Sequence, residues 1–350
     1  MSELDKQYYD GTKLLSMTKD LDGDNPDIYM CVGNRTGGKT YFFSRLCVRR
    51  FLNGKGQFIL LYRYGYQIAD IGNAFFSDIQ DEFPGLIMSG KSIDKGNIQE
   101  LHLGKNGNDK DPVCGYALAL NDADNIRRYR PLFKDCTIMY FDEFQSETGR
   151  YCPREITLFQ SVHTTCCGRR RLPVIMSSNA VTMLNPYFVS MDIGYRLQKD
   201  TKFLKGKGWV LESAFVESAA SDLKQSGFAK AFASDKYMDY ATQNTYLNDN
   251  NNFIEKLKGD YTYLLTLHFN GEDFCIRKGD DFLYISDNVD PNFPLKVSVT
   301  VTDHGPDAIL PPRSWDTLHT CKRFFELGKV YFKDLKCKQA FFNFVGISTI

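Results

Sequence analysis

Three runs in the first half of the chain are apolar almost without interruption: Ile28-Tyr29-Met30-Cys31-Val32, Gln57 to Tyr64 (QFILLYRY) and Thr137-Ile138-Met139-Tyr140-Phe141. A fourth, Leu172 to Ser177, has the same character. Runs of this kind predict strands buried on both faces, as in the mostly parallel sheet of an α/β fold. Between them the period changes. Tyr41 to Leu52 carries apolar residues at helical spacing, and Gln67 to Phe83 reads as helical until Pro84-Gly85 stops it. Leu86 to Ala119 holds short apolar runs around a Gly/Asn-rich segment, which predicts a small hairpin at the sheet edge. Beyond residue 198 the texture differs. Lys199, Lys202, Lys205 and Lys207 cluster around Gly206 and Gly208 and read as a loop facing phosphates, and Glu217 to Tyr240 is helix-prone and rich in small residues. The asparagine run Asn248 to Asn252 reads as a boundary. After it, Tyr261 to Phe269, Phe274 to Lys278, Phe282 to Ile285 and Lys296 to Val301 are short β runs separated by Asn270-Gly271, Gly279-Asp280 and Asp290-Pro291 turns. Ser314 to Phe344 reads as helical, with Lys322, Arg323, Lys329, Lys333, Lys336 and Lys338 suited to nucleic acid or to plain solvation. The expected organisation is an α/β domain over 1–205, a small linker or lid over 206–250 and an α+β domain over 251–350. Residues up to about Pro26 read as a polar arm, a candidate for packing on a neighbouring subunit.

Composition adds three constraints. With 350 residues, 43% of them hydrophobic, the chain can bury a sizeable core in about two domains. No run approaches the length of a membrane span, and the polar start (Ser2, Glu3, Asp5, Lys6) lacks a signal peptide's apolar stretch, so a reducing cytoplasm is expected. The ten cysteines are scattered without a C-x-x-C spacing, which predicts free thiols, mostly buried. Lysines plus arginines balance aspartates plus glutamates at 43 each, so a polyanionic partner must be met by local patches rather than by a global field.

The chemistry gathers where the first strand meets the first long helix. Gly33-Asn34-Arg35-Thr36-Gly37-Gly38-Lys39-Thr40 is a complete G-x-x-x-x-G-K-[ST] phosphate loop in the strand-to-helix context the pattern requires. Its glycines let backbone N–H groups turn toward phosphates, Lys39 reaches the β- and γ-phosphates, and Thr40 holds Mg2+. ATP and Mg2+ are therefore the expected ligands. About a hundred residues on, an apolar strand ends in Asp142-Glu143. Asp142 is the expected Mg2+ partner, and Glu143, one position later, is placed to deprotonate the attacking water. Ser178-Asn179 follows the next strand, where the Asn179 amide is either a γ-phosphate sensor or the cap of a turn before Pro186. Arg169, Arg170 and Arg171 form either a solvated face or, in a ring of subunits, an arginine finger reaching the neighbour's nucleotide, with Arg169 first in order. Arg35 is a second candidate for charge stabilisation, in cis, or a plain surface residue. Lys202, Lys205 and Lys207 are the candidate DNA contacts.

GNRTGGKT, QFILLYRY, IMYFDEF and MSSNAVTMLNPYF, with FIEKLKGDYTYLLTLHFNG and FLYISDNVDPNF downstream, together resemble the DNA packaging ATPases of phi29-like small tailed bacteriophages over most of the chain. The resemblance implies an ASCE-type P-loop ATPase domain followed by a C-terminal domain that resembles ribonuclease H without its nuclease. It also implies a homomeric ring, usually of five, at the portal of an empty procapsid, pumping double-stranded DNA inward in the host cytoplasm, in some relatives with a scaffold RNA. It gives Lys39 and Thr40 to the phosphates and Mg2+, Arg35 as the loop arginine, and Asp142 and Glu143 as the acid pair. Cys166-Cys167-Gly168 stands where the family has further arginines, so the finger carries over less cleanly. Two other readings remain: a large terminase that also cuts DNA, and a nucleotide-dependent switch or host-type ATP-dependent DNA pump whose load is another partner. The first C-terminal run, Tyr261 to Phe269, contains no acid, which weighs against cutting.

Overall fold

The computed structural model describes residues 8–69, 71–182, 185–191, 193, 202–231, 253–312 and 314–346. They divide into two compact units, one within 8–231 and one within 253–346. Lys199, the Asn248 to Asn252 run and the Met183-Leu184 part of the SNA-to-NPYF segment lie outside the described residues.

The first unit is one nine-stranded sheet covered on both faces. Its strands are β1 (Ile28–Gly33), β2 (Gln57–Tyr62), β3 (Ile87–Ile93), β4 (Ile98–Gly104), β5 (Val113–Ala119), β6 (Cys136–Asp142), β7 (Val174–Asn179), β8 (Phe203–Lys205) and β9 (Trp209–Ala214), in the order β3-β4-β5-β2-β6-β7-β1-β9-β8. From β5 across to β9 every pairing is parallel; β3 and β4 on one side and β8 on the other are antiparallel. The unbroken apolar runs follow from this burial. Along β2, Phe58 and Leu60 pack with Phe43 and Cys47 of α2 (Lys39–Leu52) on one face. Ile59 and Leu61 pack on the other, where Phe159 and Val162 of α5 (Glu155–Cys167) join the same core. The remaining helices here are α1 (Thr12–Leu15), α3 (Ile71–Ser77), α4 (Ala123–Ile126), α6 (Pro186–Ser190), α7 (Glu217–Gln225) and α8 (Gly227–Ala231). The helical reading of Gln67 to Phe83 breaks into α3 between two short 3-10 turns.

Two expectations change. The stretch read as the start of a linker at 206 contains β9, which pairs with β1 along its whole length, because Trp209, Val210 and Leu211 are apolar enough to close the sheet. The N-terminal arm, from Tyr8 on, packs on its own unit rather than needing a neighbour: Leu14 is fully buried, and Tyr9 donates from its hydroxyl to Glu212 at 2.6 Å.

The second unit is a five-stranded sheet in the order β13-β10-β11-β12-β14, with β10 (Thr262–Phe269), β11 (Glu272–Lys278), β12 (Leu283–Ser286), β13 (Lys296–Ser298) and β14 (Val330–Phe332). β10, β11 and β12 form an antiparallel meander, flanked by β13 and β14 in parallel pairings. Helices α9 (Asp316–Glu326) and α10 (Leu335–Val345) complete this α+β unit. Cys337, Ala340, Phe341, Phe344 and Val345 make a helical stripe on α10 that packs into the same core as Leu265, Leu267 and Ile285. The stretch read as one helix is interrupted by β14. Its lysines are largely spoken for, since Lys329 pairs with Asp281, Lys333 with Asp287 and Lys336 with Glu272. All ten cysteines are free and nine are buried. Among the described residues no helix is long and apolar enough to cross a membrane.

Candidate nucleotide site

Sheet register builds the site. In β7, Ser177 stands beside both Asp142 of β6 and Cys31 of β1, and Asn179 beside Gly33 of β1, so the acidic strand and the phosphate-loop strand reach the same carboxyl edge, with β7 between them. This is the edge where open parallel sheets bind ligands. Gly33 is demanded by the fold: a Cβ there would lie 1.7 Å from the Ala214 carbonyl oxygen of β9. Gly38 has φ of 85°, the left-handed region where glycine is at ease, and it opens α2. Asn34 is buried and ties the loop down, accepting from Val216 N at 3.0 Å and donating to Val216 O at 3.1 Å. Tyr9 N donates to Gly37 O at 2.7 Å, so the N-terminal arm also holds the loop.

Above this edge lies a cavity of about 490 Å3 lined by Arg35 to Thr40, Tyr41, Asp78, Asp142, Glu143, Ser178 and Asn179. Lys39 is buried in its wall and donates to Asn34 O at 2.6 Å and to Asn179 Oδ1 at 3.3 Å. Burial lowers its ammonium pKa, the price of holding a cation ready in a partly dry cradle. Asp142 accepts a hydrogen bond from Ser177 Oγ, and Thr40, in the first turn of α2, lines the same cavity. Two hard oxygen ligands facing one pocket suit Mg2+, which takes the rest of its shell from phosphates and water. Glu143 follows Asp142 with φ of 52°, a left-handed conformation that turns its side chain away from the strand direction. Burial first, and then the charges of Asp142 and Glu147, raise its carboxyl pKa, as suits a general base.

Two arrangements could not be read from the sequence. Glu147 is held by Arg35, whose Nη2 lies 2.7 Å from Glu147 Oε2 and whose Nε lies 3.1 Å from Oε1. Asn179 Nδ2 donates to the same Glu147 Oε1 at 3.1 Å, so Lys39, Asn179, Glu147 and Arg35 form one linked series of polar groups across the cavity. Arg35 is therefore no plain surface residue. The second arrangement lies beneath. Arg63, just past the end of β2, pairs with Glu155 at 2.9 Å in a buried bridge, and Glu155 also accepts from Cys152 N and Tyr187 Oη. The guanidinium also donates to Glu143 O at 3.3 Å and Phe144 O at 2.7 Å, which fixes the backbone on which the general base is carried.

The arginine run separates into three fates. Arg170 donates to the carbonyls of Cys136, Phe133 and Cys166, each at 2.9 Å, and so pins the entry to β6. Arg171 pairs with Asp27 at 2.9 Å. Both are thus engaged by groups of their own unit, and Arg169, exposed beside them, stays first among the finger candidates. The run precedes β7, so it sits at the sheet edge opposite its own phosphate loop. Of the lysines read as one phosphate-facing loop, Lys205 instead ends the edge strand β8, with Lys202 just before that strand and Lys207 just after it. Lys202 O accepts from Ser213 N near the carboxyl end of β9, Lys205 Nζ donates to Lys19 O at 2.6 Å, and Lys207 lies 3.7 Å from Asp22.

A phosphate loop closed by a helix N-terminus, a strand-borne acid pair and one strand inserted between them define, in class, an ASCE-type P-loop ATPase fold. The chain belongs to the podovirus DNA encapsidation protein (Gp16) family, which it matches over residues 4–349. It is 24% identical over 310 residues to the DNA packaging protein of Bacillus phage phi29, covering 85% of this chain and 83% of that one. The DNA packaging protein of Bacillus phage PZA gives the same identity, length and coverage. In fold it is similar to a chain of the bacteriophage phi29 viral genome packaging motor assembly, with a TM-score of 0.65 and 21% identity over 96% of this chain and 99% of that one.

Proposed function

We propose that this protein hydrolyses Mg-ATP and uses the energy to drive double-stranded viral DNA into an empty procapsid, as one subunit of a homomeric ring at the portal. The observation that carries this reading is the cavity in which the phosphate loop, Asp142, Glu143 and Asn179 meet. In it Lys39 exchanges its Asn34 carbonyl for β- and γ-phosphate oxygens, and Gly37, Gly38 and the start of α2 supply N–H groups to the rest of the triphosphate. Thr40 and Asp142 would hold Mg2+, which supplies charge neutralisation between the β- and γ-phosphates. Glu143 takes a proton from the attacking water, and Asn179 reports on the γ-phosphate through its link to Lys39. Arg35 turns from Glu147 to the developing negative charge, since a phosphate competes for the same guanidinium fork that now grips the carboxylate.

Arg169 acts in trans. Its place at the far edge of its own sheet suits a neighbour's nucleotide better than its own. Family membership and the names of the relatives support DNA as the load and its encapsidation as the task, whereas its double-stranded form and the procapsid portal as docking site follow from the family resemblance. A five-subunit ring and a scaffold RNA rest on the resemblance described above. The reading is tested by ATP hydrolysis measured with and without duplex DNA. Duplex should stimulate turnover by the parent, whereas a rate indifferent to DNA would favour a nucleotide switch with another load.

A further inference from the structure

The structure assigns to the buried hydroxyls of Tyr140 and Ser177 the task of positioning the Asp142 carboxylate for Mg2+. This inference rests on the nucleotide reading above and adds two positioning residues, both outside the lining of the cavity. Tyr140 lies in the apolar run Thr137 to Phe141, and Ser177 ends the run that starts at Leu172. Ser177 is wholly buried and Tyr140 almost so. A hydroxyl in such a place is costly unless it is bonded, and an apolar side chain would fill the same space without that cost. Packing therefore does not account for either hydroxyl, and the partners do. Ser177 Oγ donates to Asp142 Oδ1 and lies 2.8 Å from Tyr140 Oη. A serine has one hydroxyl proton and an ionised carboxylate can only accept, so Ser177 gives its proton to Asp142 and the Tyr140 hydroxyl donates to Ser177. The hydrogen bonds run one way, from Tyr140 through Ser177 to Asp142.

Register and packing hold both ends of this series. Ser177 of β7 pairs with Asp142 of β6, and Tyr140, two positions before Asp142, shares its face of the strand. The Tyr140 ring packs on Phe43 of α2 with ring centres 5.7 Å apart, and Phe43 follows Thr40 by three residues on the same helix. One side chain thus ties the strand that carries Asp142 to the helix that carries Thr40, the other oxygen expected to hold the ion. Glu143 N also donates to Asp142 Oδ1, at 3.0 Å. With two donors on Oδ1 the carboxylate is held in one orientation, and Oδ2 is the oxygen left for the metal.

The test uses Mn2+, which takes the same hard oxygen ligands as Mg2+ and is visible by electron paramagnetic resonance. It is titrated into the full chain held in excess over the non-hydrolysable ATP analogue AMP-PNP, so that the nucleotide is protein-bound. Ser177→Ala should weaken Mn2+ binding roughly 10- to 100-fold, the usual cost of losing a hydrogen bond behind a metal ligand. Tyr140→Phe, which keeps the ring on Phe43, should weaken it in the same direction and by less. Combining Tyr140→Phe with Ser177→Ala should be no worse than Ser177→Ala alone, because Tyr140 acts only through Ser177. AMP-PNP binding without metal, measured by calorimetry in EDTA, should stay parental in all three variants. Parental Mn2+ affinity in Ser177→Ala overturns the inference. So do losses that add in the double variant, or that appear equally in metal-free AMP-PNP binding, since either makes the hydroxyls part of the packing alone. Asp142→Asn separates this inference from the reading it rests on. Loss of Mn2+ in Asp142→Asn but not in Ser177→Ala refutes the positioning role alone, whereas parental Mn2+ affinity in Asp142→Asn refutes the metal assignment beneath it.

Discussion

Replacing Arg63 by lysine should separate the holding of the catalytic base from the holding of the fold. Arg63 sends its guanidinium to three places at once, the Glu155 carboxylate and the carbonyls of Glu143 and Phe144. Lysine keeps the charge beside Glu155 but cannot reproduce a planar fork, so the two carbonyls lose their donor. Glu143 sits at φ of 52°, and a non-glycine residue held there stores about 1–3 kcal/mol that only its surroundings sustain. Released, it should relax and leave the water site. Since about 1.4 kcal/mol is tenfold in rate, kcat should fall roughly 5- to 150-fold with little change in KM for ATP. Glu155→Gln gives the opposite profile. It leaves the buried Arg63 charge unpaired, at a cost of about 3–5 kcal/mol, or a drop in Tm of roughly 6–20 °C for a unit of this size. Arg63 still reaches both carbonyls, so turnover at low temperature should remain close to the parent. Steady-state kinetics and thermal unfolding of both variants decide the matter. If turnover falls in each in simple proportion to the drop in stability, the Arg63 hydrogen bonds to Glu143 and Phe144 are packing and do not position the base.

Three further outcomes follow from the same geometry. Glu143 works as a base only when ionised, and its raised pKa means that turnover falls as pH drops through that raised value. Glu147→Gln removes one negative neighbour and takes the carboxylate away from Arg35, so the acid limb of the kcat profile should move to lower pH; no movement, or movement upward, would refute the assignment. Arg170→Ala should lower stability by about 1.5 kcal/mol in thermal unfolding, because three backbone carbonyls are left without their donor, while Arg169→Ala should leave Tm alone and abolish turnover. Mixed with Lys39→Ala subunits, Arg169→Ala should recover activity at hybrid interfaces, and absence of recovery in proven mixed rings would place the finger in cis. Exchanging Lys202, Lys205 and Lys207 together for alanine should reduce the salt dependence of duplex binding, by about one unit of log-log slope for each phosphate no longer neutralised, with basal hydrolysis intact. An unchanged slope would remove the β8 edge from consideration.

The sequence made some of this legible and hid the rest for physical reasons. The phosphate loop is eight contiguous residues, of which Gly33 and Gly38 have no room or conformation for a side chain, and the strands around it are apolar on both faces, so local pattern and tertiary role coincide. β9 and β14 were not legible as part of their sheets because each follows a lysine and glycine stretch that looks like loop, and β14 is only three residues long. The three adjacent arginines are indistinguishable as letters. Only the carbonyls around Arg170 and Asp27 beside Arg171 tell them apart. Arg63 and Glu155 are separated by 92 positions, and Arg35 and Glu147 by 112, so no spacing rule joins them. Glu147 gave no signal of its own, being an acid in a polar loop after the strand.

The most direct test is DNA packaging itself, read as nuclease-protected duplex recovered from procapsids incubated with the protein, Mg2+ and ATP. Parent protein should protect DNA in step with ATP consumed. Glu143→Gln should bind ATP with parental affinity, consume none and protect no DNA, because the phosphate cradle is intact and only the base is gone. Protection of DNA by Glu143→Gln at the parental rate would contradict the account.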